Sequence, residues 1–278
     1  MKKQEIQIFG QNIVYWQDED FDIRDAKIVL FIHGFGDSGL RIGSIARYTN
    51  RNYKLIAIDL PGCGESRDVT KTITLEYYSQ IVTEFIKQKI GQQKFWIVAH
   101  SMGAHITLML SKNFENLQYS LLCAPAIYYN DPAWKTFLKE KVPFFIPQTS
   151  ERLWYNYTWL LAPSEEKLAQ MPHIKNKILQ TPQAMLDLTY NLFYKLVNDE
   201  LTNFDYLQTH IKPLWAQYPY KKVLYAEFDK VLPPEMMEVV LKENKVDNLM
   251  VKGAGHAIFY SAPELVNNEI NKIIEHER

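Results

Sequence analysis

A serine between small residues, Ala99-His100-Ser101-Met102-Gly103, stands directly after the apolar run Phe95-Trp96-Ile97-Val98 and ahead of a helix-like stretch from Ala104 to Lys112. A strand that turns sharply into a helix lifts one serine hydroxyl to the carboxyl edge of a sheet. Small residues two before and two after the serine let the backbone make that turn without clashes. The helix start adds amide hydrogens and a positive dipole end where an oxyanion would form. With Ala99 in the first position, the motif is a relaxed G-x-S-x-G. A serine hydroxyl attacks only when a base takes its proton. The candidate base is His256, on a flexible Gly253-Ala254-Gly255 exit after the strand-like Leu249-Met250-Val251. The candidate acid is Asp229, at the end of Val223-Leu224-Tyr225-Ala226-Glu227-Phe228 and ahead of Pro233-Pro234. It would fix the imidazole tautomer and stabilise the imidazolium.

Two further loops carry chemistry. His33-Gly34-Phe35-Gly36-Asp37-Ser38 follows the strand-like Lys27 to Ile32, and a glycine-rich turn there can aim backbone N–H groups at a developing negative charge. Ile58-Asp59-Leu60-Pro61-Gly62-Cys63-Gly64-Glu65-Ser66 makes a tight loop after the strand-like Leu55 to Ile58. Together these loops admit a second reading. Gly34-Phe35-Gly36-Asp37-Ser38-Gly39 is literally G-x-G-x-x-G, with Asp59 placed 59 − 39 = 20 residues on, the spacing of a dinucleotide fingerprint. Against an oxidoreductase of that kind, His33 puts a polar residue where the motif wants an apolar one. The reading also gives Ser101, Asp229 and His256 no task.

The elements that must hold these residues follow from hydrophobic pattern. Glu5 to Phe9 and Asn12 to Trp16 predict a hairpin turning at Gly10-Gln11. Strand-like runs at Ile28 to Ile32, Leu55 to Ile58, Phe95 to Val98 and Tyr119 to Cys123 then alternate with helical stretches. One such stretch is Leu75 to Ile90, with Ile81, Val82, Phe85, Ile86 and Ile90 at helical spacing. Alternation of this kind predicts an α/β protein, a mostly parallel sheet with helices on both faces and ligands at the carboxyl ends of the strands. From about Ala126 to about Tyr206 the strand signal ends. Pro132, Pro143, Pro147, Pro163, Pro172 and Pro182 cut that stretch into short helices, the longest from Pro182 to Leu201 with Met185, Leu188, Leu192 and Leu196 at helical spacing.

Serine, acid and histidine in that chain order, with the two loops before them, resemble the alpha/beta-hydrolase superfamily in its capped esterase and lipase-like branch. The resemblance covers nearly the whole chain. It implies the alpha/beta-hydrolase fold with an inserted helical cap: a core at 1–125 and 207–278 and a cap at 126–206. It also implies oxyanion donors at the backbone N–H of Phe35 and of Met102. Some members place the acid after the sixth strand, which makes Asp131 the runner-up to Asp229. Dehalogenases and epoxide hydrolases of this fold carry aspartate at the elbow, so Ser101 argues against both. The expected reaction is hydrolysis of small to medium apolar esters through an acyl-enzyme. Alternatives are a thioesterase, a carbon–carbon bond hydrolase, or a receptor-like hydrolase with slow turnover. The cap aromatics Trp134, Phe137, Trp154, Tyr157 and Trp159 either build the core of the cap or line an apolar substrate pocket.

Bulk properties narrow the field. The 278 residues, 47% of them hydrophobic, suffice for one hydrolase core with an insertion. A formal charge of −1 offers nothing to nucleic acid. His100 and His105 lack the intervening acid of an H-E-x-x-H zinc site, so neither a metal nor another cofactor is expected. Cys63 and Cys123 form no disulfide framework and are expected reduced and packed. Lys2-Lys3 has no apolar run behind it, and no apolar stretch is long enough to span a membrane. The expectation is a cytoplasmic protein, monomeric by default.

Overall fold

The computed structural model describes residues 1–22, 27–128 and 131–276. Eight strands form one sheet: β1 (Lys2–Ile8), β2 (Gln11–Gln17), β3 (Ile28–Ile32), β4 (Lys54–Ile58), β5 (Phe95–His100), β6 (Leu117–Cys123), β7 (Lys221–Ala226) and β8 (Asp247–Val251). Their order is β1-β2-β4-β3-β5-β6-β7-β8. The expected hairpin β1–β2 is antiparallel and β2 meets β4 antiparallel, while every pairing from β4 through β8 is parallel.

Both faces of the sheet are covered, which is why its central strands read as unbroken apolar runs. Along β3, Ile28, Leu30 and Ile32 enter one hydrophobic cluster while Val29 and Phe31 enter the other. The helix Leu75–Lys89 covers the first face with Tyr78, Ile81, Val82, Phe85 and Ile86, and Thr74 caps it by accepting the Tyr77 N–H at 3.0 Å. The helix Pro263–Ile273 covers the second face with Val266, Ile270 and Ile273.

Between β6 and β7 the described residues form helices and turns only; positions 129 and 130 of this stretch lie outside the described residues. The helix Gln183–Lys195 departs from the expected stripe. Leu192 is partly buried and Leu196 fully buried, as expected, but Met185 and Leu188 are exposed, and Leu186 and Phe193 are buried beside them. The buried side is therefore broader than the stripe, and Phe193 docks against Phe35 at a ring separation of 5.1 Å. A wide π-type turn, Leu196–Leu201, follows, and its Glu200 carboxylate accepts the Leu75 N–H at 2.6 Å. That bond ties the helical segment to the start of the helix beneath it.

Candidate active site

Parallel strands deliver Ser101, Asp229 and His256 to the same sheet edge, because each lies just past the carboxyl end of β5, β7 or β8. Ser101 takes the left-handed conformation, φ +49°, between β5 and the helix Gly103–Leu110. The surroundings hold this strained residue: its N–H donates to Cys123 O, and its carbonyl accepts from Ala104 and Ala126 N–H. Gly103 is required here. A Cβ on it would fall 2.4 Å from Ile32 O, so any side chain would push the helix off β3.

His256 Nδ1 lies 2.8 Å from Asp229 Oδ2, and His256 Nε2 lies 3.1 Å from Ser101 Oγ. An aspartate oxygen can only accept, so Nδ1 carries the proton and Nε2 presents its lone pair to the serine hydroxyl. Asp229 is 3% exposed, and its Oδ1 accepts the N–H groups of Val231 and Leu232, both at 2.9 Å. Those two bonds fix the carboxylate in one orientation. Asp131 is exposed on a turn, accepting the Ala133 N–H at 2.8 Å, and stands apart from this chain of bonds.

The neighbouring histidines hold loops in place. His33 Nδ1 donates to Gly34 O at 2.7 Å and its Nε2 accepts the Leu60 N–H at 3.0 Å. His100 Nε2 donates to the His256 carbonyl at 2.9 Å, so His256 is tied at its backbone as well as at its ring. Burial, followed by the nearby His256 ring, pushes His100 down to about 3. The neutral state of His100 keeps a second positive charge away from a ring only 5.0 Å distant. Burial also pushes His105 down to about 3.

Phe35 and Met102 line a small cavity together with Ser101. Gly34 presses close to Ser101, where a Cβ on the glycine would stand 3.0 Å from the serine Cβ. The Asp59 carboxylate is fully engaged, accepting from Trp16 Nε1 at 3.2 Å, Gly39 N at 2.6 Å and Glu65 N at 2.9 Å. Completely buried, it staples two loops and has no reach to a ribose, which removes the dinucleotide reading. Among the described residues no cluster of three or more His, Cys, Asp or Glu side chains is placed to hold a metal ion. Cys63 and Cys123 are free and buried, and burial pushes the Cys63 thiol up to about 12.

A cavity of about 600 Å³ opens over Ser101 and His256. Of the five expected aromatics only Tyr157 lines it. Trp134 and Phe137 pack edge-on at 5.3 Å, Trp154 stacks on Tyr157 at 5.7 Å, and Trp159 packs on Phe144 at 5.2 Å, all four off the lining. The helix Ser150–Leu160 explains the difference. Its cavity face is Leu153, Asn156, Tyr157 and Leu160, an i, i+3, i+4, i+7 stripe that excludes Trp154 and Trp159. That spacing is present in the sequence, and helical phase rather than aromatic content would have found it. Phe144, Phe145 and Tyr260 also line the cavity, and no sequence signal marks them. Trp159 and Phe137 instead cage the ammonium of Lys141, at 4.1 and 4.3 Å from their ring centres. Burial pushes Lys141 down to about 8, against the opposing pull of Asp229.

A model of the alpha/beta hydrolase family matches residues 29–269. The chain belongs to that family. Monoacylglycerol lipase ABHD6 of Mus musculus is 21% identical over 253 residues, covering 84% of this chain and 71% of the lipase. An Arabidopsis thaliana protein carrying the name methylesterase 14 is 22% identical over 233 residues, and the matched part is 64% of its length. Among solved structures, MGS-M2, an alpha/beta hydrolase enzyme from a deep-sea metagenome library, superposes with a TM-score of 0.79 at 15% identity, covering 99% of this chain and 98% of that one. A thermophilic esterase from Thermogutta terrifontis gives a TM-score of 0.73 at 18% identity, covering 99% and 98%. No helix among the described residues is long and apolar enough to cross a membrane.

Proposed function

We propose that this hydrolase cleaves carboxylic esters of small to medium apolar substrates, with Ser101 as nucleophile, His256 as general base and acid, and Asp229 orienting the imidazole. One observation carries the reading: the unbroken chain of hydrogen bonds from Asp229 Oδ2 through His256 to Ser101 Oγ. His256 Nε2 takes the hydroxyl proton as Ser101 Oγ bonds to the ester carbon. The carbonyl oxygen, now negative, is received by the N–H groups of Phe35 and Met102. Collapse breaks the bond to the alcohol oxygen, which leaves with the proton from His256. Water then repeats the sequence on the acyl-enzyme and frees Ser101 with the carboxylic acid. On this reading the helices at 126–206 form a cap over a core at 1–125 and 207–278. The esterase and lipase among the relatives and neighbours support ester chemistry over the thioester and carbon–carbon alternatives.

The test is a fluorophosphonate probe followed by peptide mapping, with Ser101→Ala alongside. The expected adduct is stoichiometric and on Ser101, and Ser101→Ala loses ester turnover by on the order of a million-fold. Labelling of a different serine would sink the assignment.

A further inference from the structure

A second, smaller cavity of about 30 Å³ also touches Ser101, walled by Met102, His105, Leu138, Lys141 and Leu201. Phe35, Ser101, Phe145 and Val231 line both spaces, so the two meet at the nucleophile. His256 faces only the larger one. From this we propose that the small cavity takes the acyl chain and the large one the alcohol, so that the protein acts on short-chain acyl esters of bulky apolar alcohols. The inference rests on the serine-hydrolase reading above.

The assignment follows from where the proton must go. The departing alcohol oxygen needs the proton on His256 Nε2, so that half of the ester has to lie in the cavity His256 lines. The acyl carbon stays on Ser101 Oγ, with its oxygen turned to the Phe35 and Met102 N–H groups. With the alcohol in the cavity that His256 lines, the acyl chain goes past Met102 into the small cavity, which His256 does not line. One water-sized group needs ~10–15 Å³ on this measure, so the small cavity admits about two such groups, the tail of an acetyl or propionyl unit. The walls there are buried: Leu138 is 2% exposed and His105 1% exposed. Phe145 lines both spaces, and its ring stands edge-on to Phe35 at 5.4 Å and to Phe144 at 5.4 Å. The large cavity accepts apolar bulk against Phe144, Leu153, Tyr157, Leu160 and Ile174.

Octyl acetate and methyl nonanoate have the same molecular formula and place the long chain on opposite sides of the ester. The wild-type protein should favour octyl acetate in kcat/KM by at least about a hundredfold, since each misplaced methylene in a closed apolar pocket costs roughly tenfold or more and the nonanoyl chain carries several. Equal rates, or preference for methyl nonanoate, would overturn the division of the cavities and leave the serine-hydrolase reading standing. Hydrolysis of neither ester, together with an unlabelled Ser101, would instead remove the reading beneath it. Phe145→Ala and Leu138→Ala enlarge the small cavity from two sides. Each should raise the p-nitrophenyl hexanoate to acetate ratio of kcat/KM by about tenfold or more. An unchanged ratio in variants that still turn over acetate counts against the proposal. If either variant fails to fold, the isomer pair measured on the wild-type protein decides alone.

Discussion

Acid should destabilise this protein through a buried imidazole, and His105→Leu should remove a defined part of that sensitivity. His105 is 1% exposed on the helix Gly103–Leu110, and neither ring nitrogen makes a well-formed hydrogen bond; the Ala126 backbone is near enough only to soften the effect. Its folded-state value is pushed down to about 3 from the ordinary 6.5. The unfolded chain therefore binds the proton first. Stability is unaffected above ~6.5, then falls by ~1.4 kcal/mol for each pH unit below it until about 3. At pH 5 the loss from this one ring is about 2 kcal/mol, a large share of the 5–15 kcal/mol typical of a domain. His100, pushed down to a similar value, adds a parallel loss that the substitution leaves in place. Leucine is close to histidine in volume and brings no unpartnered polar atoms. Urea unfolding followed by tryptophan fluorescence at pH 7.5 and pH 5.0 gives the two stabilities for each protein. The drop between these pH values should be smaller in His105→Leu than in wild type by about 2 kcal/mol. Equal drops would show that the ring is protonated as readily in the folded state as in the unfolded one, and the reasoning would fail.

Asp229→Asn should lower kcat on p-nitrophenyl acetate by around ten-thousand-fold, because the amide favours the wrong imidazole tautomer, whereas Asp131→Asn should change it by no more than a few-fold. The reverse ranking would move the acid to the loop after β6. Lys141→Met should stabilise the protein at pH 7 by up to about 2 kcal/mol, since it removes an ammonium that burial disfavours while keeping the apolar stem, less the lost contacts with the Trp159 and Phe137 rings. Burial holds Lys141 at about 8 against an ordinary 10.5, so the penalty is complete below about 8 and fades as pH rises toward 10.5. The gain should therefore shrink to under ~1 kcal/mol at pH 10, and a pH-independent gain in urea titrations would refute that cause.

Much of the sheet was legible because it obeys local rules. Strands buried on both faces are apolar throughout, as in β3 and β5, and the hairpin announces itself at Gly10. The residues of the proposed triad were legible for a related reason. Each sits at a strand exit, and in a parallel sheet every such exit shares one edge. The stretch between β6 and β7 was legible only as helical. Met185 and Leu188 fit the expected stripe and are exposed, because a helix with apolar residues on several sides chooses its buried face from its neighbours, here Phe35 against Phe193. Aromatic type likewise did not mark the cavity. Trp154 and Trp159 are turned away by helical phase, while Phe145, from a Pro-bounded stretch without clear periodicity, lines both cavities. Asp59 makes the same point from the opposite side: its spacing fits a ribose-binding acid, but it is completely buried and held by two backbone donors and one indole donor. The amino-acid sequence by itself determined the strand order of the chemistry, namely which residues end on the active edge, because that depends on period and turn chemistry within a few residues. Tertiary structure alone decided which side chains line the cavity over Ser101, because cavity walls come from elements far apart in the chain whose rotation is set by packing.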